Sequence, residues 1–299
     1  MQRTVLGGLA ASALLIAASL SVANAADVPV KAQVYKAPPM PVPIYSWTGF
    51  YVGGDVGVGW MNAPTYTFAD PGNAAFSSCG PCAGPYGSQT LSGRGADAAL
   101  GAIHLGYDKQ VAPTWLVGVV GDFTWTHINQ SVSSTLTDLP FVPVVFGSNL
   151  SFQTDVKWLA SIRARGGFIM QNNWLIYATG GVAWADTNFA ANATCPQPPV
   201  AGGCVFIAGT TAPFALNTTR TGFVVGGGLE WQMPANPWRV NLEYLIYGFD
   251  SADSGSSLFL RIPGGGPLPC VVTPTCSANY SFGKLNIQTL RVGLSYAFH

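Results

Sequence analysis

The feature that most constrains this chain is a side-chain alternation with a period of two residues, repeated along most of its length. From Phe50 to Trp60 one face carries Phe50, Val52, Gly54, Val56, Val58 and Trp60, while the other carries Tyr51, Gly53, Asp55, Gly57 and Gly59. Trp115–Trp125 repeats the pattern, with Leu116, Gly118, Val120, Asp122 and Thr124 opposite the apolar set. So does the stretch in which Trp158, Ala160, Ile162, Ala164 and Phe168 oppose Lys157, Leu159, Ser161, Arg163 and Arg165. At the end, Leu290, Val292, Leu294, Tyr296 and Phe298 oppose Thr289, Arg291, Gly293, Ser295 and Ala297. An apolar face against a small or polar one, in segments of about ten residues, is the signature of strands that cross a membrane.

Charge supports this reading, since Asp, Glu, Lys and Arg make up only 9% of the chain, against about 25% in a water-soluble domain. After Leu20 no run approaches the roughly 18 apolar residues of a spanning helix. A closed barrel is then the one spanning structure left, because hydrocarbon offers no partner to an unpaired backbone group. Further segments at Ala98–Lys109, Trp174–Asp186, Thr218–Trp231 and Trp238–Phe249 bring the count to eight. The predicted fold is all-β, an eight-stranded antiparallel transmembrane up-and-down barrel.

The connections alternate in length. Met61–Asp97, His127–Thr154, Thr187–Asn217 and Asp250–Phe282 are long, whereas Asp108–Thr114, Met170–Asn173 and Gln232–Pro237 are short. Long loops face outward and short turns face the periplasm, which places both chain ends in the periplasm of a Gram-negative outer membrane. Trp47, Trp115, Trp174, Trp231 and Trp238 fall at the short-turn ends, and Trp60, Trp125 and Trp184 toward the other ends, as interfacial girdles require.

Three regions precede or make up the barrel. Arg3, the apolar run Val5–Leu20 and Ala23-Asn24-Ala25 read as a secretory signal peptide over 1–25. Residues 26–46 form a Pro-rich periplasmic leader, whose composition favours an extended tether. The barrel domain follows over 47–299.

The order of motifs resembles the alphaproteobacterial outer-membrane β-barrel family, often labelled porin-like or outer-membrane immunogenic protein. These motifs are W-T-G-F-Y-V-G-G at Trp47–Gly54, V-G-V-V-G-D-F at Val117–Phe123, S-I-R-A-R-G-G at Ser161–Gly167, L-I-Y-A-T-G-G-V-A at Leu175–Ala183, G-G-G-L-E at Gly226–Glu230, L-E-Y-L-I-Y at Leu242–Tyr247 and L-R-V-G-L-S-Y-A-F at Leu290–Phe298. The resemblance implies a barrel similar to the transmembrane part of OmpA, with exposed and often immunogenic loops. It also implies a terminal aromatic, here Phe298, that the barrel assembly machinery reads, although His299 follows it.

The predicted inward charges are Asp55, Asp122, Lys157, Arg163, Arg165, Glu230, Glu243 and Arg291. Both signs in a lumen filled by side chains at this strand number predict a network of ion pairs. Glu230 and Glu243 have the chemistry for acid–base work, but neighbouring arginines would hold them ionised. Cys79 and Cys82, Cys195 and Cys204, and Cys270 and Cys276 are three close pairs in three long connections, read as local disulfides in an exported chain. Zinc binding and C-x-x-C redox chemistry are the competing readings, and spacing alone does not prove a pairing. His104, His127 and His299 show no metal-ligand spacing, and His104 reads as a satisfied lumen histidine. Gly226-Gly227-Gly228 lacks the helix and lysine of a phosphate loop. No cofactor, catalytic site or nucleic-acid partner is implied, the 13 basic and 13 acidic residues giving zero formal charge.

Three functions remain open: a monomeric structural and surface protein that meets lipid and whose loops meet host, phage or small-molecule ligands, a small-solute porin, and, suggested by haemin binding in relatives, a surface ligand receptor.

Overall fold

A computed structural model describes residues 46–69, 88–136, 148–170, 173–195, 210–258, 260–261 and 277–298. The proposed signal peptide, most of the Pro-rich leader, Cys79, Cys82, Cys204, Cys270, Cys276 and His299 lie outside them, as does the side chain of Cys195. Among the described residues no helix is long and apolar enough to cross a membrane.

Eight strands close a ring, as the alternation predicts. They are β1 (Gly49–Met61), β4 (Ala96–Ala112), β5 (Trp115–Leu136), β6 (Ser148–Met170), β7 (Trp174–Cys195), β8 (Thr210–Gln232), β9 (Trp238–Phe249) and β13 (Leu285–Phe298). Each pairs antiparallel with its neighbours in the order β8-β7-β6-β5-β4-β1-β13-β9, and a β8–β9 pairing shuts the ring. Within this ring no backbone edge is left open to lipid. Phe50 pairs with Phe298, so the first and last strands meet at the rim of short turns. Asn173 (φ 63°) and Ala235 (φ 56°) occupy left-handed backbone in two of those turns. Asparagine tolerates that conformation more readily than alanine does.

The apolar face points outward. Phe50, Val52, Val56, Val58, Trp115, Val117, Val119, Ile162, Val292 and Leu294 are all exposed large hydrophobics. On β5 the apolar set runs from Trp115 to Trp125, close to the roughly 9–11 residues that cross the hydrocarbon. Trp115 with Phe168, Trp174 with Trp231, and Trp238 with Tyr296 form ring contacts at the short-turn rim. Phe123 with Trp125 and Trp158, and Trp60 with Tyr244, do so at the other. Trp47 departs from the expected girdle. It is 2% exposed and packs inside the barrel with Leu116, Leu175 and Tyr177, plugging the short-turn end.

The long connections are not simple loops. Strands β5 to β8 continue well beyond the membrane, and the other four resume after a break as β2 (Thr65–Ala69), β3 (Ser88–Ser92), β10 (Ala252–Leu258) and β12 (Ser277–Phe282). These form a second antiparallel sheet, β10-β12-β2-β3. A two-residue strand, β11 (Leu260–Arg261), adds to β8. All four breaks lie at corresponding positions, over residues 62–64, 93–95, 250–251 and 283–284. Pro64, which has no N–H to give to a ladder, sits in one of them, and its carbonyl accepts from Gly93 N at 2.9 Å. In another, Gly283 N donates to Thr65 O at 2.8 Å.

Above the breaks, Tyr66, Phe68, Tyr280 and Phe282 of the second sheet pack on Leu150, Phe152, Phe189, Ala191, Ala193 and Ala212 of β6 to β8. The contacts include a stacked Tyr66–Phe152 pair at 4.9 Å and Phe189–Phe282 at 4.5 Å. Burying an aromatic of this kind is worth about 1.5–3 kcal/mol relative to leaving it in water, so this head has a core of its own. Tyr66 Oη donates to Gln130 Oε1 at 3.0 Å and shares a hydrogen bond with Thr154 Oγ1 at 2.8 Å. Burial, only partly offset by the Thr154 bond, pushes its phenol up from 10 to about 12, and burial raises Tyr280 as well. A phenol that ionises later in the folded state stabilises nothing below pH 10, where both states are neutral, and costs stability as pH rises from about 10 to about 12. Near-ultraviolet circular dichroism of the protein in micelles should therefore decay over that window, and Tyr66→Phe should show a smaller decay.

Candidate functional site

The barrel interior changes character along its axis, and the most elaborate chemistry lies in one belt just above the Trp47 plug. Strands β4, β5, β6, β8, β9 and β13 point Asp108, Asp122, Arg163, Arg165, Glu230, Arg239, Glu243 and Arg291 inward, all buried. Arg165 Nη1 donates to Glu230 at 2.9 Å and its other nitrogens donate to Asp108. Arg239 reaches both of those carboxylates at 3.3 Å and lies over the Trp47 ring, 4.6 Å from its centroid. One layer up, Arg163 bridges Asp122 at 3.0 Å and Glu243 at 2.8 Å. Arg291 donates to Asp122 at 3.1 Å and to Tyr247 Oη, Ser161 Oγ donates to Asp122, and Tyr177 Oη donates to Glu243 at 3.1 Å.

Asp55 on β1 is the fifth carboxylate and, among the described residues, makes no arginine ion pair. His104 Nδ1 lies 2.7 Å from its Oδ2, and Asn241 Nδ2 donates to Oδ1 at 2.9 Å. The other imidazole nitrogen, Nε2, is 2.8 Å from Ser295 Oγ. His104 is thus held on both sides across three strands.

Seven of the eight charges expected inside are brought together here. Lys157 is the exception. Its numbering matches Arg163 and Arg165, but a β-bulge between Val156 and Trp158 shifts the register against β7, and Lys157 points outward and is exposed. Asp108 and Arg239 were missed. Both continue the inward parity of their strands, Asp108 four residues after His104 and Arg239 four before Glu243, and each lies one residue inside the boundary of its expected strand, Ala98–Lys109 or Trp238–Phe249. The ion pairs occupy one level of the bore. Above the belt, Ile128, Val156, Leu159, Val224, Leu245, Tyr247, Phe249, Leu285 and Ile287 form an apolar layer, and the head core lies beyond it.

Glycine makes the belt fit. Arg291 pairs across the sheet with Gly57, Arg163 with Gly181, Asp108 and Arg165 with Gly118, and Glu243 and Tyr177 with Gly228. A side chain at Gly57 would overlap the Leu290 carbonyl, and one at Gly181 would overlap that of Ile162. Small inward residues beside large ones are how a narrow barrel fills its bore. What space remains among Tyr51, His104, Arg165, Glu230 and Asn241 is about 20 Å³, room for about one water. Among the described residues no group of His, Cys, Asp or Glu is placed to hold a metal ion.

Closed ring, lipid-like outer face and paired polar belt together describe an outer-membrane barrel. A family model described as outer membrane protein beta-barrel domain matches residues 10–298. The chain belongs to this family. It is a protein of the Gram-negative outer membrane. The 31 kDa outer-membrane immunogenic proteins of Brucella melitensis and Brucella suis are each 27% identical to it over 296 residues, 97% of this chain and 98% of the relative. Among solved structures it is similar to the outer membrane protein OprG from Pseudomonas aeruginosa (10% identity, 84% of this chain and 97% of that chain, TM-score 0.43). It is also similar to the outer membrane protease OmpT from Escherichia coli (9% identity, 83% and 97%, TM-score 0.43).

Two substitutions test the belt. Arg163→Met leaves Glu243 without a cation, since Asp122 keeps Arg291, and should cost about 3–5 kcal/mol in urea unfolding from micelles, part of it recovered in Arg163→Met/Glu243→Met. Gly181→Ala should cost about 1–3 kcal/mol through overpacking, whereas Gly101→Ala, whose added carbon meets nothing within 4 Å, should cost nothing by the same measurement.

Proposed function

We propose that this barrel is a non-conducting surface protein, a membrane anchor that carries a β-structured head outside the cell. The observation that carries the reading is the filled bore: four arginines and five carboxylates interlock in the belt, the cavity lined by Arg163, Arg165, Glu230 and Glu243 measures about 20 Å³, and two apolar layers stand above. A hydrated path would have to separate ion pairs that are buried and held by direct hydrogen bonds. The direction of the head follows from the rule that short turns are periplasmic. The name of the Brucella relatives, an immunogenic outer-membrane protein, agrees with a head exposed to the outside.

The competing porin reading is tested directly. Purified protein in planar bilayers should give no reproducible open state, and Arg163→Ser/Arg165→Ser, which unpairs the belt and clears space, should admit brief openings at most. A stable unitary conductance from the unmodified protein would overturn the proposal.

A further inference from the structure

Above the girdle at Trp125 and Trp158, the outward face of β5 to β8 changes from apolar to polar. On β5 it presents His127, Asn129, Ser131 and Ser133, and on β8 Thr221, Thr219 and Asn217. Lys157, Asp155 and Asp186 stand next to the girdle, and above them no described outward position on these strands is Asp, Glu, Lys or Arg. Solvated protein surface ordinarily carries charge at a quarter of its positions or more. A groove of about 250 Å³ opens in this face. Ser131, Ser133, Ser151, Gln153, Ala190 and Asn192 flank it, while Phe152 and Ala191 between them turn their side chains into the head core.

We propose that this face binds carbohydrate, and that its occupant is the sugar-phosphate headgroup of a glycolipid standing in the outer leaflet of the same membrane. Hydroxyl and carboxamide groups both donate and accept hydrogen bonds, as sugar hydroxyls do, and a charge-free groove suits a neutral ring. Continuity with the lipid interface decides between occupants. The polar face is the direct extension of the face that meets acyl chains, on the same four strands. A molecule whose chains lie against Trp125 and Trp158 holds its headgroup beside His127 and Lys157 and its further sugars beside the groove. The bulge that turns Lys157 out of the barrel sets its ammonium at that level, where a phosphate on the first sugars would meet it. The inference rests on the head pointing outward, as proposed above.

The test is made with the full-length protein in detergent micelles, so its result depends neither on conductance nor on which way the head points in cells. Titration calorimetry with purified lipopolysaccharide and with its delipidated oligosaccharide should show binding of both, with slowed amide exchange across residues 129–133, 151–153 and 188–192. Ser151→Trp, which fills the groove, and Lys157→Glu should each weaken oligosaccharide binding about tenfold or more. Removing the sugar phosphates should abolish the effect of Lys157→Glu and leave that of Ser151→Trp. If Ser151→Trp does not fold, Ser131→Ala/Gln153→Ala reads the same groove. Binding of intact lipopolysaccharide without any binding of the oligosaccharide, or variants equal to the parent, would overturn the proposal and leave only acyl-chain contact with the apolar belt. Separate labelling of the head in intact cells decides its orientation.

Discussion

The narrowness of an eight-stranded ring governs the rest of the structure. Its walls stand so close that inward side chains from opposite strands must interlock. A large residue is therefore tolerated only beside a small one. Arg291 next to Gly57, Arg163 next to Gly181, and Asp108 and Arg165 next to Gly118 are direct consequences. The same pairing explains why a chain with 36 glycines forms long continuous strands, although glycine weakens a strand elsewhere. Here each missing side chain is the space its neighbour occupies, and the ladder on both sides holds the backbone.

Alternation has opposite sense on the two sides of the membrane boundary. In the membrane the outward residues are apolar and the inward ones polar, because lipid favours the first and ion pairing satisfies the second. Outside the membrane the outward residues meet water, so cohesion has to come from an apolar interior. Strand β6 shows both regimes: Arg163 and Arg165 point in low on the strand, Leu159, Val156, Phe152 and Leu150 point in above them, and Lys157, at the bulge, is the residue that the change of register turns outward.

This inversion explains what could be read in the sequence. The eight crossings were legible because each keeps one parity and one sense of alternation, and the inward charges from Asp55 to Arg291 follow from counting by two. Lys157 was misplaced by the same counting, since a bulge leaves no composition signal where a single extra residue enters a strand. Trp47 carries the signal of a girdle, because tryptophan at a strand end normally marks an interface, whereas in the fold it packs on Leu116, Leu175 and Tyr177 with Arg239 over its ring, partners that lie far along the chain. The head strands were hidden for another reason. Ser, Thr, Asn and Gly dominate their outer face and suggest loops, and the inward partners that make them strands, such as Phe152 with Phe282, come from distant parts of the chain.

The four aligned breaks connect these two regimes. A ring continued upward at constant radius would need further polar fill or an open bore. Interrupting β1, β4, β9 and β13 at one level lets their continuations form a separate sheet that packs face to face on β5 to β8, the arrangement of a sandwich with its apolar layer between two sheets. Pro64 withdraws a donor from the ladder at one break, and Gly93 at the next donates its N–H to the Pro64 carbonyl. The unbroken strands β5 to β8 then carry the outer surface of the head as a direct continuation of the lipid-facing wall. The same feature that closes the barrel from above also sets that surface immediately beside the membrane.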